Sequence, residues 1–183
     1  MATEIATLAS GCFWCIEAVL NRVRGVQSVM PGYTGGEVPN PSYEAVCTGR
    51  TGHAEAVQVV FDNEVVDYET LLHVFFATHD PTQLNGQGGD IGTQYRSAIF
   101  YHDDKQKETA ERVIKELGSD GHYSQPIVTE VTALDTFYNA EDYHHAYYER
   151  NRDRNPYCTI VIDPKVRKLL TSYGELTKTP GAV

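Results

Sequence analysis

The hydrophobic period changes once near the start of the chain, and the change falls on Ser10-Gly11. Before it stands an apolar run, Ile5-Ala6-Thr7-Leu8-Ala9, which reads as a short buried strand. After it, Ile16, Val19, Leu20 and Val23 recur at helical spacing among good helix formers, so a helix begins at or just after Cys12. The turn therefore sets Gly11-Cys12-Phe13-Trp14-Cys15 at a helix N-terminus, where unpaired N–H groups and the positive end of the dipole favour thiolate over thiol. Cys12 is expected to be nucleophilic there. Cys15 lies one turn along the same face, so the two sulfurs can join in a disulfide. Phe13 and Trp14 put two large aromatic surfaces beside them. Half a zinc site, or two buried apolar cysteines, fits the same spacing.

Further along, strands are expected from Gly25 to Val29, Ala56 to Phe61, Arg96 to Tyr101 and Ile127 to Thr132. Helices are expected over Tyr68–Thr78, over Asp104–Leu117 with Gly118 as its stop, and over Glu141–Arg150. The tail adds a short β-like run, Thr159-Ile160-Val161-Ile162, and a basic helix from Pro164 through Leu170. Pro31-Gly32-Tyr33-Thr34-Gly35-Gly36 reads as a turn-rich segment, and residues 37–54 and Asp80 to Gln94 as two long loops. Loops of that length in a compact domain are usually functional. The order resembles an α+β two-layer sandwich of the ferredoxin-like split βαβ type, a mixed sheet with helices and long active-site loops. With no repeat and no linker composition, residues 1–183 are expected to form a single catalytic domain, with 155–183 as a C-terminal tail packing on it. Both loops and the Gly11 turn are expected to meet at one edge of the sheet.

A net charge of −10 argues against nucleic acid or an anionic membrane as partner. No run reaches the roughly 18 apolar residues of a membrane helix, and Met1-Ala2-Thr3-Glu4 lacks a basic leader segment, so the expectation is cytoplasmic. Four cysteines (Cys12, Cys15, Cys47, Cys158) are too few for a disulfide framework and suit catalytic or redox roles in such a compartment.

Neither glycine-rich loop fits a phosphate-binding motif. His53-Ala54-Glu55 with a C-x-x-C invites comparison with zinc deaminases, but the cysteine pair precedes it and lacks the proline. His73, His144 and His145 show no zinc-protease spacing and read as surface or packed histidines. On local sequence Glu55 reads as an exposed strand-end carboxylate and Asp90 as a turn former; partial desolvation would instead keep Glu55 protonated near neutrality. Tyr33, Tyr43 and Tyr95 fit either an aromatic box with phenolic hydroxyls or loops pinned by half-buried tyrosines. Cys47 reads as a packing cysteine.

Five segments taken in order carry a resemblance: Gly11-Cys12-Phe13-Trp14; Gly32-Tyr33-Thr34-Gly35-Gly36; Asn40-Pro41-Ser42-Tyr43; Thr51-Gly52-His53-Ala54-Glu55-Ala56-Val57; and His79-Asp80-Pro81 onward to Gly92-Thr93-Gln94-Tyr95-Arg96-Ser97-Ala98. Phe137-Tyr138 and Ala140-Glu141-Asp142-Tyr143-His144 extend it. Together they are similar to the A-type peptide-methionine (S)-S-oxide reductases, which repair one sulfoxide epimer. The resemblance implies Cys12 as nucleophile, Glu55 as acid, and Tyr43 and Tyr95 as hydroxyls that bind the sulfoxide oxygen. It implies Phe13 and Trp14 as the wall receiving the methyl group, and Asp90 as a carboxylate fixing substrate backbone or site water. It further implies methionine sulfoxide, free or in proteins, as substrate and thioredoxin as reductant, with no cofactor and no metal. The sequence departs from many members at Cys15, where they carry glycine, and in a tail with no glycine around Cys158. Cys15 is favoured as the resolving thiol, with Cys158 as the alternative. Two other functions stay open on these residues: a general thiol–disulfide oxidoreductase using Cys12 and Cys15, and a zinc-stabilised binding module.

Overall fold

The computed structural model describes residues 2–178. Six strands form one sheet, running from edge to edge as Glu130–Ala133 (β7), Ala98–Tyr101 (β6), Thr3–Ala9 (β1), Ala54–Asp62 (β3), Val26–Thr34 (β2) and Phe137–Asn139 (β8). Its centre is the split βαβ core expected from the sequence: β1 (Thr3–Ala9), α1 (Phe13–Leu20), β2 (Val26–Thr34), β3 (Ala54–Asp62), α3 (Tyr68–Ala77) and β6 (Ala98–Tyr101). Between β2 and β3 lies α2 (Tyr43–Cys47), and between α3 and β6 a small hairpin, β4 (Gly86–Gln87) with β5 (Asp90–Ile91). After β6, α4 (Asp104–Ser119) leads to β7 (Glu130–Ala133), which runs parallel to β6, and β8 (Phe137–Asn139) then pairs antiparallel with β2 at the far edge. α5 (Tyr147–Asn151), one π-helical turn (Cys158–Ile162) and α6 (Asp163–Ser172) follow. The tail expected over 155–183 is thus described as far as Lys178, and 179–183 lie outside the described residues.

Helix α1 is the hinge of this arrangement. Cys15, Ile16, Ala18, Val19 and Leu20 are all buried, so the helix is apolar nearly all round. Such a helix must be covered on every side, and α1 packs between the sheet, α3, α5, the π-helical turn and α6. Burying Ile16, Val19 and Leu20 contributes roughly 1.5–3 kcal/mol each, which holds the N-terminus of α1 fixed against the sheet. On the opposite face, Ala9, Ala54, Ala56, Ala98 and Phe100 form a smaller cluster covered by Leu134 and Phe137.

Several local expectations are corrected. Pro31 to Thr34 belong to β2, and the turn begins only at Gly35, with φ +91°. Pro31 is tolerated because its carbonyl accepts from Ala140 N–H (2.9 Å) beyond the end of β8, so its missing donor faces that edge and leaves the β3 ladder intact. The two long loops contain α2, capped by Ser42, and the β4–β5 hairpin. Helix α4 runs through Gly118 and stops before Gly121, whose φ of +77° is the left-handed conformation that ends a helix. The helix expected over Glu141–Arg150 breaks at Ala146 (φ +55°). Glu17 takes the Ala146 N–H at 3.0 Å, and the Arg150 guanidinium donates to the carbonyls of Asp142 (3.2 Å) and Tyr143 (2.9 Å) in place of helical bonds. The β-like run at Thr159–Ile162 lies within the π-helical turn. Cys158 and Ile162, four residues apart, are fully buried while Ile160 is exposed, so packing on α1 overrides strand propensity. The loops and the Gly11 turn meet at one end of the sheet, where β1 and β2 finish and β3 and β6 begin, and not along an edge. No helix among the described residues is long and apolar enough to cross a membrane.

Candidate active site

The strand-to-helix turn is built for close approach. Gly11 has φ +76°, and a Cβ there would lie 2.8 Å from the Gln87 side chain. Its N–H donates to the Tyr95 carbonyl at 3.2 Å, which ties the turn to the end of the second loop. Cys12 occupies the cap position of α1 in an extended conformation, and its thiol is almost covered. The next N–H, that of Phe13, points at Glu55 and donates to its Oε1 at 3.1 Å. Nucleophile and carboxyl therefore share one helix terminus.

Glu55 sits on β3, paired in register with Tyr33 of β2, and is 1 % exposed. It is not the solvated strand-end carboxylate that its neighbours suggested. Its Oε2 has no hydrogen-bond partner among the described residues. Burial pushes its carboxyl up to about 8; the Phe13 N–H opposes this, while Asp90 and Cys15 add to it. Glu55 is therefore protonated at neutral pH, with one oxygen facing an unfilled contact.

Around it stands an aromatic wall. Phe13 is fully buried against Tyr33 (5.7 Å between centroids), Tyr43 (6.3 Å) and His144 (4.9 Å). Trp14 is half-buried, stacks on Tyr147 at 3.7 Å, and donates its indole N–H to His144 Nδ1 at 3.0 Å. Burial and the nearby Glu55 raise the hydroxyl pKa of both Tyr43 and Tyr95, so both stay protonated donors. Tyr43 is held by its own N–H, which donates to Glu141 Oε2 at 2.9 Å, and Tyr33 donates to the other oxygen at 2.9 Å. Burial opposes ionisation of Glu141, but these two bonds, its own backbone N–H and nearby His144 together hold the carboxyl below its ordinary value.

The sulfurs behave differently from expectation. Burial, and the hydrogen bond that Cys12 gives to Cys15, raise the Cys12 thiol well above the ordinary range, against a small lowering from the Trp14 N–H. Cys15, accepting that bond, is lowered to about 7 against the cost of burial, helped by Lys165 and Tyr157. Desolvation at Cys12 thus outweighs the helix terminus, and of the two thiols Cys15 is the readier to ionise. The Tyr157 hydroxyl lies 3.6 Å from Cys15 Sγ and donates to Asp90 Oδ2 at 2.6 Å. A cavity of about 200 Å³ beside them is lined by Cys12, Gln87, Asp90, Tyr157 and Lys165. Cys158 is buried within reach of the Cys15 charge. Cys47 is exposed and is no packing residue. His53 takes the Gly36 N–H on Nδ1 (3.0 Å) and gives its Nε2 proton to the Val38 carbonyl (2.7 Å), so it pins the loop. Among the described residues no group of three or more His, Cys, Asp or Glu is arranged to hold a metal ion.

Comparison with known proteins gives this geometry a family. Residues 4–177 match the family model described as "Peptide methionine sulfoxide reductase". The chain belongs to that family. It is 52 % identical over 175 residues to peptide methionine sulfoxide reductase MsrA of Saccharolobus solfataricus, covering 96 % of this chain and 97 % of that one. To the MsrA of Deinococcus radiodurans it is 55 % identical over 174 residues, covering 95 % and 84 %. Among solved structures it is similar to reduced Mxr1 of Saccharomyces cerevisiae, with a TM-score of 0.76 and 34 % identity over 84 % of this chain and 88 % of that one. The yeast protein has also been solved in complex with Trx2.

Within this reductase fold, every residue singled out by the resemblance except Cys158 lies in the turn, the two loops or the strand end that surround Glu55. Four others were not foreseen: Glu141 under Tyr43, His144 and Tyr147 against Trp14, and Tyr157 between Asp90 and Cys15. Glu141 and His144 stood in a segment of the resemblance with no role attached, and the excess of tyrosine was the one visible sign of Tyr147 and Tyr157.

Proposed function

We propose that this reductase converts the S-epimer of methionine sulfoxide, free or within proteins, to methionine by attack of Cys12 on the sulfoxide sulfur. A sulfoxide resists attack because its oxygen would leave as a strong base, so the oxygen must be protonated as sulfur is attacked. The observation that carries the reading is the neutral, buried carboxyl of Glu55 hydrogen-bonded to the N–H that follows Cys12. Tyr43 and Tyr95 add neutral hydroxyls for the oxygen, Phe13 and Trp14 an apolar wall for the methyl group, and Asp90 an acceptor for the substrate backbone or a site water. The Cys12 proton passes along its hydrogen bond to Cys15 as the sulfur attacks. Glu55 delivers a proton to the oxygen, methionine leaves, and Cys12 remains as the sulfenic acid.

Cys15 then condenses with it, giving a Cys12–Cys15 disulfide and water. Direct hydrogen bonding to Cys12 supports Cys15 for this step, whereas Cys158 borders Cys15. Thioredoxin reduces the disulfide by exchange, a role in keeping with the yeast relative's assembly with Trx2. We read the chain as one catalytic domain acting in the cytoplasm, with its tail packed on α1. The test is a single turnover with one equivalent of sulfoxide, quenched by alkylation and mapped by peptide. A Cys12–Cys15 disulfide with one methionine released is expected, and Cys12→Ser should release none. Methionine release by Cys12→Ser at the wild-type rate would overturn the assignment.

A further inference from the structure

Lys165 has no part in the scheme above, yet its charge reaches Cys15. It stands in the first turn of α6, three residues after Ile162 and four before Leu169, both fully buried, so it shares the helix face that packs on α1. Its side chain lines the cavity beside Cys12 and Asp90, and also a small gap next to Cys15, Ile16 and Val19. Among the described residues no carboxylate forms an ion pair with it. Arg167 and Lys168, its neighbours on the same helix, are exposed.

We propose that Lys165 is a positioning residue for the resolving step: from the C-terminal segment, its ammonium holds Cys15 as the thiolate that attacks the Cys12 sulfenic acid. The proposal rests on Cys15 being the resolving thiol. In that step the Cys15 sulfur pair forms the S–S bond, and the S–O bond of the sulfenic acid breaks. Cys15, which took the Cys12 proton in the first step, passes it to the carboxylate that the same step left on Glu55; the departing oxygen takes that proton back from Glu55 and leaves as water. No further oxidant or reductant is consumed.

The groups facing Cys15 leave Lys165 as the source of positive charge. From the cap of α1, Cys12 gives a hydrogen bond. Asp90 of β5 carries negative charge that opposes a thiolate, as would Glu55 of β3 once ionised, and buried Cys158 adds none while protonated. Tyr157 has a single proton, and at 2.6 Å its hydroxyl donates that proton to Asp90, so Tyr157 places Cys15 more than it charges it. His79, also within the field of Lys165, is held neutral by burial, its value lowered to about 3. With the Cys15 thiol at about 7, half of it is thiolate at neutral pH, and Lys165 is among the causes.

The experiment compares wild type, Lys165→Met and Lys165→Arg in single turnover with one equivalent of dabsyl-methionine sulfoxide. Disulfide closure is followed by thiol quench from pH 6 to pH 10, with folding checked by circular dichroism. If losing the ammonium raises the Cys15 thiol by about one unit, the thiolate fraction at pH 6 falls about ninefold while each thiolate becomes about threefold more nucleophilic. Closure in Lys165→Met should therefore be about threefold slower than wild type near pH 6 and up to about threefold faster above pH 9. Lys165→Arg should restore the wild-type profile. A merely structural lysine would lower the rate at every pH without a crossing, and that result overturns the proposal. If the profiles coincide while the mapped disulfide is still Cys12–Cys15, Lys165 is dismissed and Cys15 stands. A disulfide mapped to Cys12–Cys158 removes the premise, and the proposal with it.

Discussion

Replacing Glu55 by glutamine should flatten the fall in the protein's stability as pH rises, even though the residue is assigned to the chemistry. In the native state burial lifts this carboxyl from 4.5 to about 8. Between those values the unfolded chain has released a proton that native Glu55 keeps, so native stability falls as pH rises through the window. Integrated from pH 5 to pH 7, the loss from this one group is about 2–3 kcal/mol. Glutamine has no such term. It can accept from Phe13 N–H as Glu55 does, while its amide N–H₂ takes the unpartnered position of Oε2 at a cost of about 1–3 kcal/mol that does not vary with pH. The prediction is therefore the difference between two differences. Urea unfolding under reducing conditions should show wild type losing about 2–3 kcal/mol more than Glu55→Gln between pH 5 and pH 7. Glu17, whose carboxyl burial raises to about 7, contributes its own slope to both proteins and cancels. Identical pH dependence in the two proteins would mean that Glu55 is ionised in the folded state, and the neutral-acid account would fail with it.

Three further outcomes are expected. Gly11→Ala forces a left-handed residue costing about 1–2 kcal/mol and a Cβ 2.8 Å from Gln87, so thermal melting should drop and methionine release should slow. Glu141→Ala leaves the Tyr43 N–H and the Tyr33 hydroxyl without their acceptor, which should cost about 1–3 kcal/mol in urea unfolding and raise KM more than it lowers kcat, because Tyr43 loses its anchor. Cys47→Ser, on an exposed thiol, should leave the mapped disulfide and its rate of closure unchanged, and loss of closure would make Cys47 the resolving residue.

What could be read from the chain was set by local period. The β1–α1 turn, the Ala56–Phe61 strand and the inward face of Leu71, Leu72, Phe75 and Phe76 show themselves because the strand and helix periods are undisturbed there. Where a tertiary partner replaces a local bond, the period misleads. Ala146 turns left-handed because Glu17, far back on α1, accepts its N–H, and Thr159–Ile162 coils because Cys158 and Ile162 find α1 rather than a strand edge. The candidate site divides the same way. Motif-borne residues such as Cys12, Glu55 and Tyr95 were identified through the resemblance, which also carried Glu141 without a role, while Tyr157 and Lys165 come from a distant segment with no spacing to mark them. The state of the sulfurs was out of reach as well. A helix terminus argues for a Cys12 thiolate, and only burial together with the hydrogen bond to Cys15 shows that the thiol one turn further on is the readier to ionise.

The account turns on a protonated carboxyl feeding the sulfoxide oxygen while Cys12 attacks sulfur. Its most direct test is the single-turnover release of methionine by Glu55→Gln at neutral pH, measured by rapid quench with substrate in excess over binding. Loss of a positioned general acid should slow that release by about 10²–10⁴-fold in a folded protein. Release at the wild-type rate would contradict the mechanism.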